Sequence, residues 1–253
     1  MTELTLYNNR YSVCSMKARL ALEEKGADWK SHEIDIVQAL DQFQPWYIEM
    51  NERAVVPTLK AGDEIITNSA RIIRYVADLS GGESLLPSKE SDRQLVSEWI
   101  DRADSVNLQT LSYANHPSFE QSEGILNARI ARAFEYSEKY PALADRYLDS
   151  ARRVLSYKKR ESKEDVAAIE ATALKHVDAL EERLKKSKFI VGDSYTLADV
   201  IWTVLLARFD LLQKPQLIGA EAHPHVAAYY ERMKARPSFA SANVQNTWWF
   251  TKK

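Results

Sequence analysis

The first eighty positions alternate between the two-residue spacing of apolar side chains that strands show and the 3.6-residue spacing of helices. In chain order this pattern predicts strand 4–7, helix 14–25, strand 31–36, helix 40–50, strands 57–60 and 65–67, and helix 69–79. Gly62 and Asp63, between the last two strands, are typical of a hairpin turn. The order β-α-β-α-β-β-α predicts a small α/β layer.

The segment 80–88 is rich in Ser, Gly and Pro and is typical of a linker. Beyond it the spacing is helical throughout, and the predicted helices are 92–113, 124–139, 142–158, 163–186, 197–212 and 224–235. Thr196 and Asp199 have the spacing of a helix-capping box, which we interpret as structural. We therefore predict an α/β domain over 1–80, followed by an all-helical domain over 89–253.

Composition narrows the function classes. The chain has 253 residues, of which 45% are hydrophobic and 28% charged, as in an ordinary soluble globular protein. Its 34 Lys and Arg balance 36 Asp and Glu, and the net charge of -2 argues against binding nucleic acid through phosphate neutralisation. The low count of 7 Gly and the absence of a Gly-rich phosphate loop argue against dinucleotide and P-loop chemistry.

Location and metal content can also be predicted. The most apolar segment, 201–212, is interrupted by Arg208 and Asp210, so we expect no membrane span. The first ten residues lack the basic and apolar regions of a secretory leader. The single Cys excludes an internal disulfide and a multi-thiolate metal site. We therefore expect a cytoplasmic protein without a metal.

Cys14 is the first candidate for chemistry, because it lies at the predicted start of a helix. Unpaired backbone N–H groups and the helix dipole stabilise a thiolate there. The alternative is that Cys14 is simply a small buried apolar residue. Ser12 has two interpretations as well: it caps the helix, or its hydroxyl donates a hydrogen bond to the thiolate of a ligand.

Two further turns could bind a peptide-like ligand. Pro57 stands at the entry of a strand, and a cis peptide bond before it would turn the N–H and C=O of Val56 outward. Asn68 and Ser69 open the next helix, where backbone N–H groups can hold a carboxylate. Helix capping is the simpler interpretation of that pair.

The motifs that carry these residues resemble the glutathione transferase family. They are LYNNRYSVCSMKARLALEEKGADW at 6–29, NERAVVPTL at 51–59, TNS at 67–69, EKYP at 138–141, FIVGDSYTLADV at 189–200, WTVLLAR at 202–208 and YYERMKARPSF at 229–239. Within the family they are most similar to glutathione-dependent reductive dehalogenases of chlorinated hydroquinones, which are akin to the zeta class. The resemblance implies a thioredoxin-like N-terminal domain and an all-helical C-terminal domain.

The resemblance also implies glutathione as the cosubstrate and a two-thiol mechanism. Ser12 would hold the glutathione thiolate, which displaces chloride from the ring, and Cys14 would then attack the sulfur of the conjugate. A second glutathione would resolve the resulting mixed disulfide. Other contacts to glutathione would come from Val56, Pro57, Asn68, Ser69, Gln42 and Gln44. Asn68 stands where many transferases carry an acidic residue.

A pocket for a small aromatic substrate is expected between the domains. Its candidate residues are Tyr11, Tyr113, His116 and Trp202, with Arg10 and Arg208 as candidates for holding an oxyanion. Structural roles in the core or at the surface are the alternative for each of them. The aromatic segment 248–250 is expected to cover the pocket or a partner subunit, and the family implies a dimer, with a homodimer favoured.

Three other functions fit the same motifs. Glutathione-dependent cleavage of β-aryl ethers and maleylacetoacetate-type isomerisation both use the glutathione thiolate and need no covalent step at Cys14. A glutathione-binding interaction module without turnover is the third, although such a module has no chemical need for Ser12, Val56, Pro57 and Ser69 together.

Overall fold

The computed structural model describes residues 2–115, 119–158 and 163–244. Its elements are β1 (Leu4–Asn8), α1 (Val13–Lys25), β2 (Lys30–Glu33), α2 (Pro45–Met50), β3 (Thr58–Ala61), β4 (Glu64–Thr67), α3 (Ser69–Asp78), α4 (Glu90–Ser105), α5 (Leu108–Ala114), α6 (Phe119–Lys139), α7 (Ala144–Lys158), α8 (Lys163–Leu184), α9 (Leu197–Leu211), α10 (Pro215–Ile218), α11 (Pro224–Lys234) and α12 (Pro237–Ser241). Short 3-10 turns precede α2 and α7. The order confirms the predicted α/β layer followed by helices.

The four strands form one mixed sheet in the order β2-β1-β3-β4. Strand β1 is parallel to β2, with Leu6 opposite Ser31, and antiparallel to β3, with Leu6 opposite Leu59. The β3–β4 hairpin turns at Gly62, whose φ of 61° suits a residue without a side chain. The β3–β4 hairpin is therefore the one that the turn residues predicted, whereas the order of the four strands comes from the structure.

Two of the predicted helices are interrupted in the structure. The segment predicted as one helix over 92–113 is divided into α4 and α5, because Asn107 leaves the helix and its Oδ1 accepts a hydrogen bond from the backbone N–H of Thr110 at 3.1 Å. The segment 40–50 begins as a 3-10 turn, and α2 starts only at Pro45, since proline fits the first turn of a helix and not its interior.

Helices α10 and α12 were not predicted from the sequence. They contain four and five residues, too few for an apolar periodicity to show. Both begin with a proline, which is the one local signal that marked them.

Helix α9 joins the sheet layer to the helical region. It is buried on nearly all sides, and its side chains belong to the same apolar core as Leu6 of the sheet and Leu20 of α1. The indole N–H of Trp202 donates to the carbonyl oxygen of Trp99 in α4 at 2.9 Å, and the two indole rings meet edge to face. One continuous core therefore fixes the orientation of α1 relative to α4 and α9.

A second contact joins α6 and α7 to the segment 36–53 of the sheet layer. Side chains on these two helices donate hydrogen bonds to backbone carbonyl oxygens of that segment. The pairs are Arg129 with Ile36, Arg132 with Ala39, Arg146 with Ile48, Tyr147 with Phe43, and Arg153 with Arg53. These bonds hold α6 and α7 against the irregular backbone that follows β2.

Asp199 confirms the predicted capping box and extends it. Its fully buried carboxylate accepts hydrogen bonds from the backbone N–H and hydroxyl of Thr196, from the backbone N–H of Ile190 and from the hydroxyl of Tyr229, at 2.8–3.0 Å. Burial raises the pKa of Asp199, and the four hydrogen bonds oppose that shift. One side chain thus joins the start of α9, the preceding loop and α11.

We predict that Asp199→Ala lowers the free energy of unfolding by about 3–5 kcal/mol, because it leaves four donors unsatisfied in the core. Asp193→Ala is the matched control: it removes an exposed carboxylate from the same loop and should change stability by about 0.5 kcal/mol or less. Urea unfolding followed by circular dichroism measures both. Equal unfolding midpoints for Asp199→Ala and the parent protein would contradict the structural role.

Candidate active site

Ser12 and Cys14 occupy the first positions of α1. Ser12 is the N-cap, and its Oγ accepts a hydrogen bond from the backbone N–H of Ser15 at 3.3 Å. Capping uses one lone pair of the hydroxyl, so its hydrogen can still be donated to a ligand. The thiol of Cys14 is exposed, which excludes the interpretation of Cys14 as a buried apolar residue.

Arg19, one and a half turns into α1, supports the loop that carries Ser12. Its guanidinium is buried and donates five hydrogen bonds. The acceptors, at 2.7–3.3 Å, are Oδ1 of Asn8 and the carbonyl oxygens of Asn9, Arg10, Ala242 and Asn243. Burial lowers the pKa of Arg19 to about 10, so it stays charged at neutral pH. The sequence analysis missed this residue, since its partners include backbone more than two hundred positions away.

The peptide bond between Val56 and Pro57 is cis, as the sequence analysis had considered for this turn. The preceding carbonyl oxygen of Val55 is held by the hydroxyl of Tyr47 at 2.7 Å and by the side-chain amide of Asn51 at 2.8 Å. Burial raises the pKa of Tyr47, so its phenol remains a neutral donor. The loop that contains Val56 is therefore held by Tyr47 of α2 and by Asn51, the residue that follows α2.

Asn68 and Ser69 form the start of α3. Asn68 has a φ of 74°, a conformation that asparagine tolerates better than most residues. Its Oδ1 accepts from the backbone N–H groups of Ala70 at 2.9 Å and Arg71 at 3.4 Å, so this oxygen acts as the helix cap. Ser69 follows at the positive end of the helix dipole.

These turns face a single cavity of about 660 Å³ between the sheet layer and the helices. Of the residues predicted for the site, the cavity is lined by Tyr11, Ser12, Cys14, Gln42, Val56, Pro57, Asn68, Ser69, Tyr113 and Arg208. A volume of this size lies within the range of pockets that bind small molecules. The structure therefore brings together residues that are up to about two hundred positions apart.

Three predicted candidates lie elsewhere. Trp202 does not line the cavity and is fully buried against Trp99. Helix α9 is buried along almost its whole length, so the spacing of its apolar residues did not show which of them face the cavity. Gln44 is the half-buried residue that precedes α2, and it too lies outside the cavity wall. Arg10 lies at the surface, 3.7 Å from Glu33. His116 and the segment 248–250 lie outside the described residues.

The structure adds positive charge that the sequence analysis did not locate. Besides Arg208, the basic residues that line the cavity are Lys17, Arg53, Arg129 and Arg153, whereas Asp104 is the one acidic residue among the described residues of its wall. Lys17 pairs with Asp104 at 2.7 Å. The cavity therefore attracts anions although the chain as a whole is slightly acidic.

Arg208 lies near Cys14 within this wall. Its guanidinium is 3% exposed and donates to the carbonyl oxygen of Tyr11 at 3.2 Å. Burial lowers the pKa of Arg208 to about 10, and the negative charge of a Cys14 thiolate opposes that shift. Arg208 is thus a cation at neutral pH beside the candidate nucleophile.

On the opposite wall, Tyr113 in α5 is paired with Arg129 in α6. A guanidinium N–H of Arg129 donates to the hydroxyl oxygen of Tyr113 at 3.1 Å. Because that oxygen accepts from Arg129, the phenolic hydrogen can be directed toward a ligand in the cavity.

The residues of the cavity wall fit an elongated anionic peptide. Two helix N-termini, the backbone at Val56 in the cavity wall and the five cations among the described lining residues offer donors for carboxylates, a thiolate and peptide groups. In the described ranges, no cluster of His, Cys, Asp and Glu side chains could hold a metal ion. Over the same ranges, every helix is too short or too polar to cross a bilayer.

Comparison with known proteins gives matches along the whole chain. The chain is 40% identical over 249 residues to the tetrachloro-p-hydroquinone reductive dehalogenase of Sphingobium chlorophenolicum, covering 98% of each protein. It is 27% identical to the 2,5-dichlorohydroquinone reductive dechlorinase of Sphingobium indicum, covering 95% of this chain and 82% of that protein. The crystal structure of the β-etherase LigF from Sphingobium sp. superimposes with a TM-score of 0.71 at 24% identity, covering 94% of this chain and 98% of LigF.

Family models agree with these matches. Residues 11–79 match the glutathione S-transferase N-terminal domain, and residues 163–232 match the C-terminal domain of the same family. The matched N-terminal segment contains the start of α1, the cis-proline loop and the start of α3. These are the three segments of the sheet layer that line the cavity. The chain therefore belongs to the glutathione S-transferase family.

Proposed function

We propose that this protein catalyses the glutathione-dependent reductive dehalogenation of a chlorinated hydroquinone. The observation that carries the proposal is the exposed thiol of Cys14, two residues from Ser12 in one cationic cavity. Its 40% identity over 98% of the chain to a protein named as such a dehalogenase supports the same reaction.

In the proposed complex, glutathione contacts the start of α1, the cis-proline loop and the start of α3. Ser12 donates a hydrogen bond to the glutathione thiolate at the start of α1, and the backbone of Val56 beside Pro57 pairs with the peptide. The γ-glutamyl carboxylate binds Ser69 at the start of α3, with Asn68 beside the amino group. Gln42 lies toward the glycyl end. This assignment is supported by the common cavity and by the two helix N-termini, which favour anions.

The reaction then proceeds in three balanced steps. The glutathione thiolate attacks a chlorinated ring carbon and expels chloride, which forms an aryl thioether. The thiolate of Cys14 attacks the sulfur of that thioether; the carbon–sulfur bond breaks, the ring takes a proton, and a Cys14–glutathione disulfide remains. A second glutathione thiolate attacks this disulfide and releases oxidised glutathione and Cys14.

Electrons balance without any other reductant. One aryl chloride and two glutathione molecules give one arene, one glutathione disulfide, chloride and a proton. The ring carbon gains two electrons, and the two glutathione sulfurs lose them. Because glutathione resolves the mixed disulfide, the protein needs only one cysteine, and Cys14 is the single cysteine of this chain.

We infer that the aromatic ring binds between Tyr11 and Tyr113, near the apolar side chains of Val106 and Leu108. The hydroxyl of Tyr113, polarised by Arg129, would donate to a ring oxygen. Arg208 lies on the Tyr11 side, where its charge would attract an ionised hydroquinone.

Cleavage of a β-aryl ether is the second candidate, and the likeness to LigF favours it over the isomerase and the interaction module. That reaction also begins with the glutathione thiolate, but it ends when a phenolate leaves. Products distinguish the two candidates, because only dehalogenation releases chloride and oxidised glutathione in equal amounts.

We further propose a cytoplasmic homodimer, as the family resemblance implies.

Cys14→Ser tests the second step. We expect the parent protein to release a less chlorinated hydroquinone from tetrachlorohydroquinone and glutathione, and the variant to accumulate the glutathionyl conjugate instead, because a hydroxyl does not displace carbon from sulfur. Mass spectrometry of the products measures both. A variant that still forms the reduced arene enzymatically would show that Cys14 is not the second nucleophile.

Ser12→Ala tests the first step. Loss of one hydrogen bond to a thiolate should lower kcat/KM about 10- to 100-fold at neutral pH. The deficit should shrink as pH rises, since glutathione then ionises without help. Because Ser12 also caps α1, the variant should unfold about 1 kcal/mol more easily, and urea unfolding separates this effect from catalysis. A pH-independent deficit would assign Ser12 to capping alone.

Tyr113→Phe tests the aromatic pocket. Removing the phenolic donor should raise KM for the hydroquinone about tenfold and leave KM for glutathione unchanged. Tyr75→Phe is the control, because Tyr75 packs against the core outside the cavity. Steady-state kinetics with each substrate varied in turn give both constants. An equal change in the two KM values would assign Tyr113 to a structural role.

A further inference from the structure

Arg208 is a buried cation in the wall of the cavity. It belongs to α9, whose side chains share one apolar core with those of α1, and only 3% of it is exposed. Withdrawing a charge from water to this degree is costly unless charged or polar groups around it compensate. The groups that surround Arg208 therefore indicate what its charge does.

Two of these groups belong to the segment that carries the candidate nucleophile. Nη2 of Arg208 donates to the carbonyl oxygen of Tyr11 at 3.2 Å, and Tyr11 precedes Cys14 by three residues. Burial lowers the pKa of Arg208, and the negative charge of a Cys14 thiolate opposes that shift. Such an interaction is reciprocal, so the charge of Arg208 stabilises the thiolate in turn.

The nearest other cation along the chain is already paired. Lys17 follows Cys14 by three residues and lies on the same side of α1, because residues at that spacing are neighbours on a helix. Its ammonium group is 2.7 Å from the carboxylate of Asp104 in α4, and both residues line the cavity. Two opposite charges at that distance largely cancel at the thiol, which leaves the effect of Arg208.

The remaining charged or titratable side chains of the described cavity wall change little with pH in the range where a thiol ionises. They are Tyr11, Arg53, Tyr113, Arg129, Arg153 and Tyr157. Guanidinium groups stay charged and phenols are ordinarily neutral between about pH 5 and 9. Their field at the start of α1 is therefore nearly constant over that range.

We propose that Arg208 holds Cys14 as a thiolate, so that a cation of the helical region sets the reactivity of a nucleophile in the sheet layer. This inference deepens the proposed function and rests on it for the role of Cys14. The thiolate, not the thiol, attacks the sulfur of the conjugate, so the ionised fraction of Cys14 limits the second step. Arg208 acts through Cys14 and is a positioning residue, and its hydrogen bond to Tyr11 also holds the turn that leads into α1.

Alkylation of Cys14 by iodoacetamide tests the proposal without glutathione or a hydroquinone. The reagent is neutral and reacts with thiolates, and Cys14 is the single cysteine of the chain, so the rate against pH gives the midpoint of its ionisation. Arg208→Gln keeps a donor for the carbonyl oxygen of Tyr11 and removes the charge. It should raise the midpoint by about one pH unit and slow alkylation at neutral pH up to about tenfold.

Two further variants separate charge from other effects. Arg208→Lys keeps the charge without the planar guanidinium, and its midpoint should stay within about 0.3 pH unit of the parent value. Arg74→Gln removes an exposed arginine of α3 that lies outside the cavity wall, and it should leave the midpoint unchanged. Circular dichroism and urea unfolding establish that each variant is folded, because the cysteine of an unfolded chain would ionise as a free thiol does.

The complete reaction gives a second measurement. With glutathione and tetrachlorohydroquinone, Arg208→Gln should accumulate the glutathionyl conjugate at neutral pH, as mass spectrometry of the products shows. This accumulation should disappear about two pH units higher, because Cys14 then ionises without help.

The alternatives give different results. Equal midpoints for Arg208→Gln and the parent protein would overturn the proposal, and so would equal shifts in the Gln and Lys variants, which would mean that Arg208 acts only through its hydrogen bonds. A higher KM for the hydroquinone with an unchanged midpoint would assign Arg208 to the substrate alone. Should Arg208→Gln not fold, a raised midpoint in the folded Lys variant would contradict a role of the charge. If the midpoints shift as expected and the parent protein releases no chloride, the proposed function fails and the assignment of Arg208 stands.

Discussion

Helix α1 lies buried between the sheet and α9, and ten of its thirteen residues have almost no contact with solvent. Four of those ten are charged, and each has a partner: Lys17 pairs with Asp104, Arg19 holds five backbone and side-chain oxygens, Glu24 binds Arg236, and Lys25 donates to a carbonyl oxygen of α3. A buried charge that loses its partner costs several kcal/mol. Helix α1 therefore cannot turn or slide without breaking these pairs, and its N-terminus stays directed at the cavity.

That constraint explains why a short segment can carry so much chemistry. Ser12 and Cys14 are positioned by a helix whose other faces are fixed, and Arg19 holds the loop that precedes them. The cis-proline loop is anchored separately by Tyr47 and Asn51. The cavity is thus lined by backbone and side chains with little freedom to rearrange, which is the condition under which hydrogen-bond donors stabilise a developing charge most effectively.

The electrostatics of the cavity differ from those of the whole molecule. The chain carries a net charge of -2, yet five basic residues and one acidic residue line the cavity in the part of the chain that the structure describes. In the proposed reaction glutathione and an ionised hydroquinone are both anions, so the same cations would attract both ligands. The fold alone does not select among the reactions of its family. In the proposed mechanism the selection depends on a second nucleophile beside the glutathione thiolate, a role that we assign to Cys14.

The sequence determined the features that depend on neighbours within a few positions. Helix and strand periodicity, the turn at Gly62, the cap at Ser12 and the capping box of Thr196 and Asp199 are local, and all of them agree with the structure. Interrupted or very short helices were missed, because one capping asparagine or a four-residue segment leaves too weak a pattern.

The tertiary structure alone decided which charged and aromatic side chains face the cavity. Arg153 meets Arg53, and Arg129 meets Ile36, across about a hundred positions of sequence, and no local spacing reports such a contact. The position of Trp202 in the core was missed for a similar reason, because almost every residue of α9 is buried and its apolar spacing does not distinguish one side from another. The local sequence determines where each helix and strand begins and ends. The burial of charged and apolar side chains between distant elements determines which side chains of each element face the cavity.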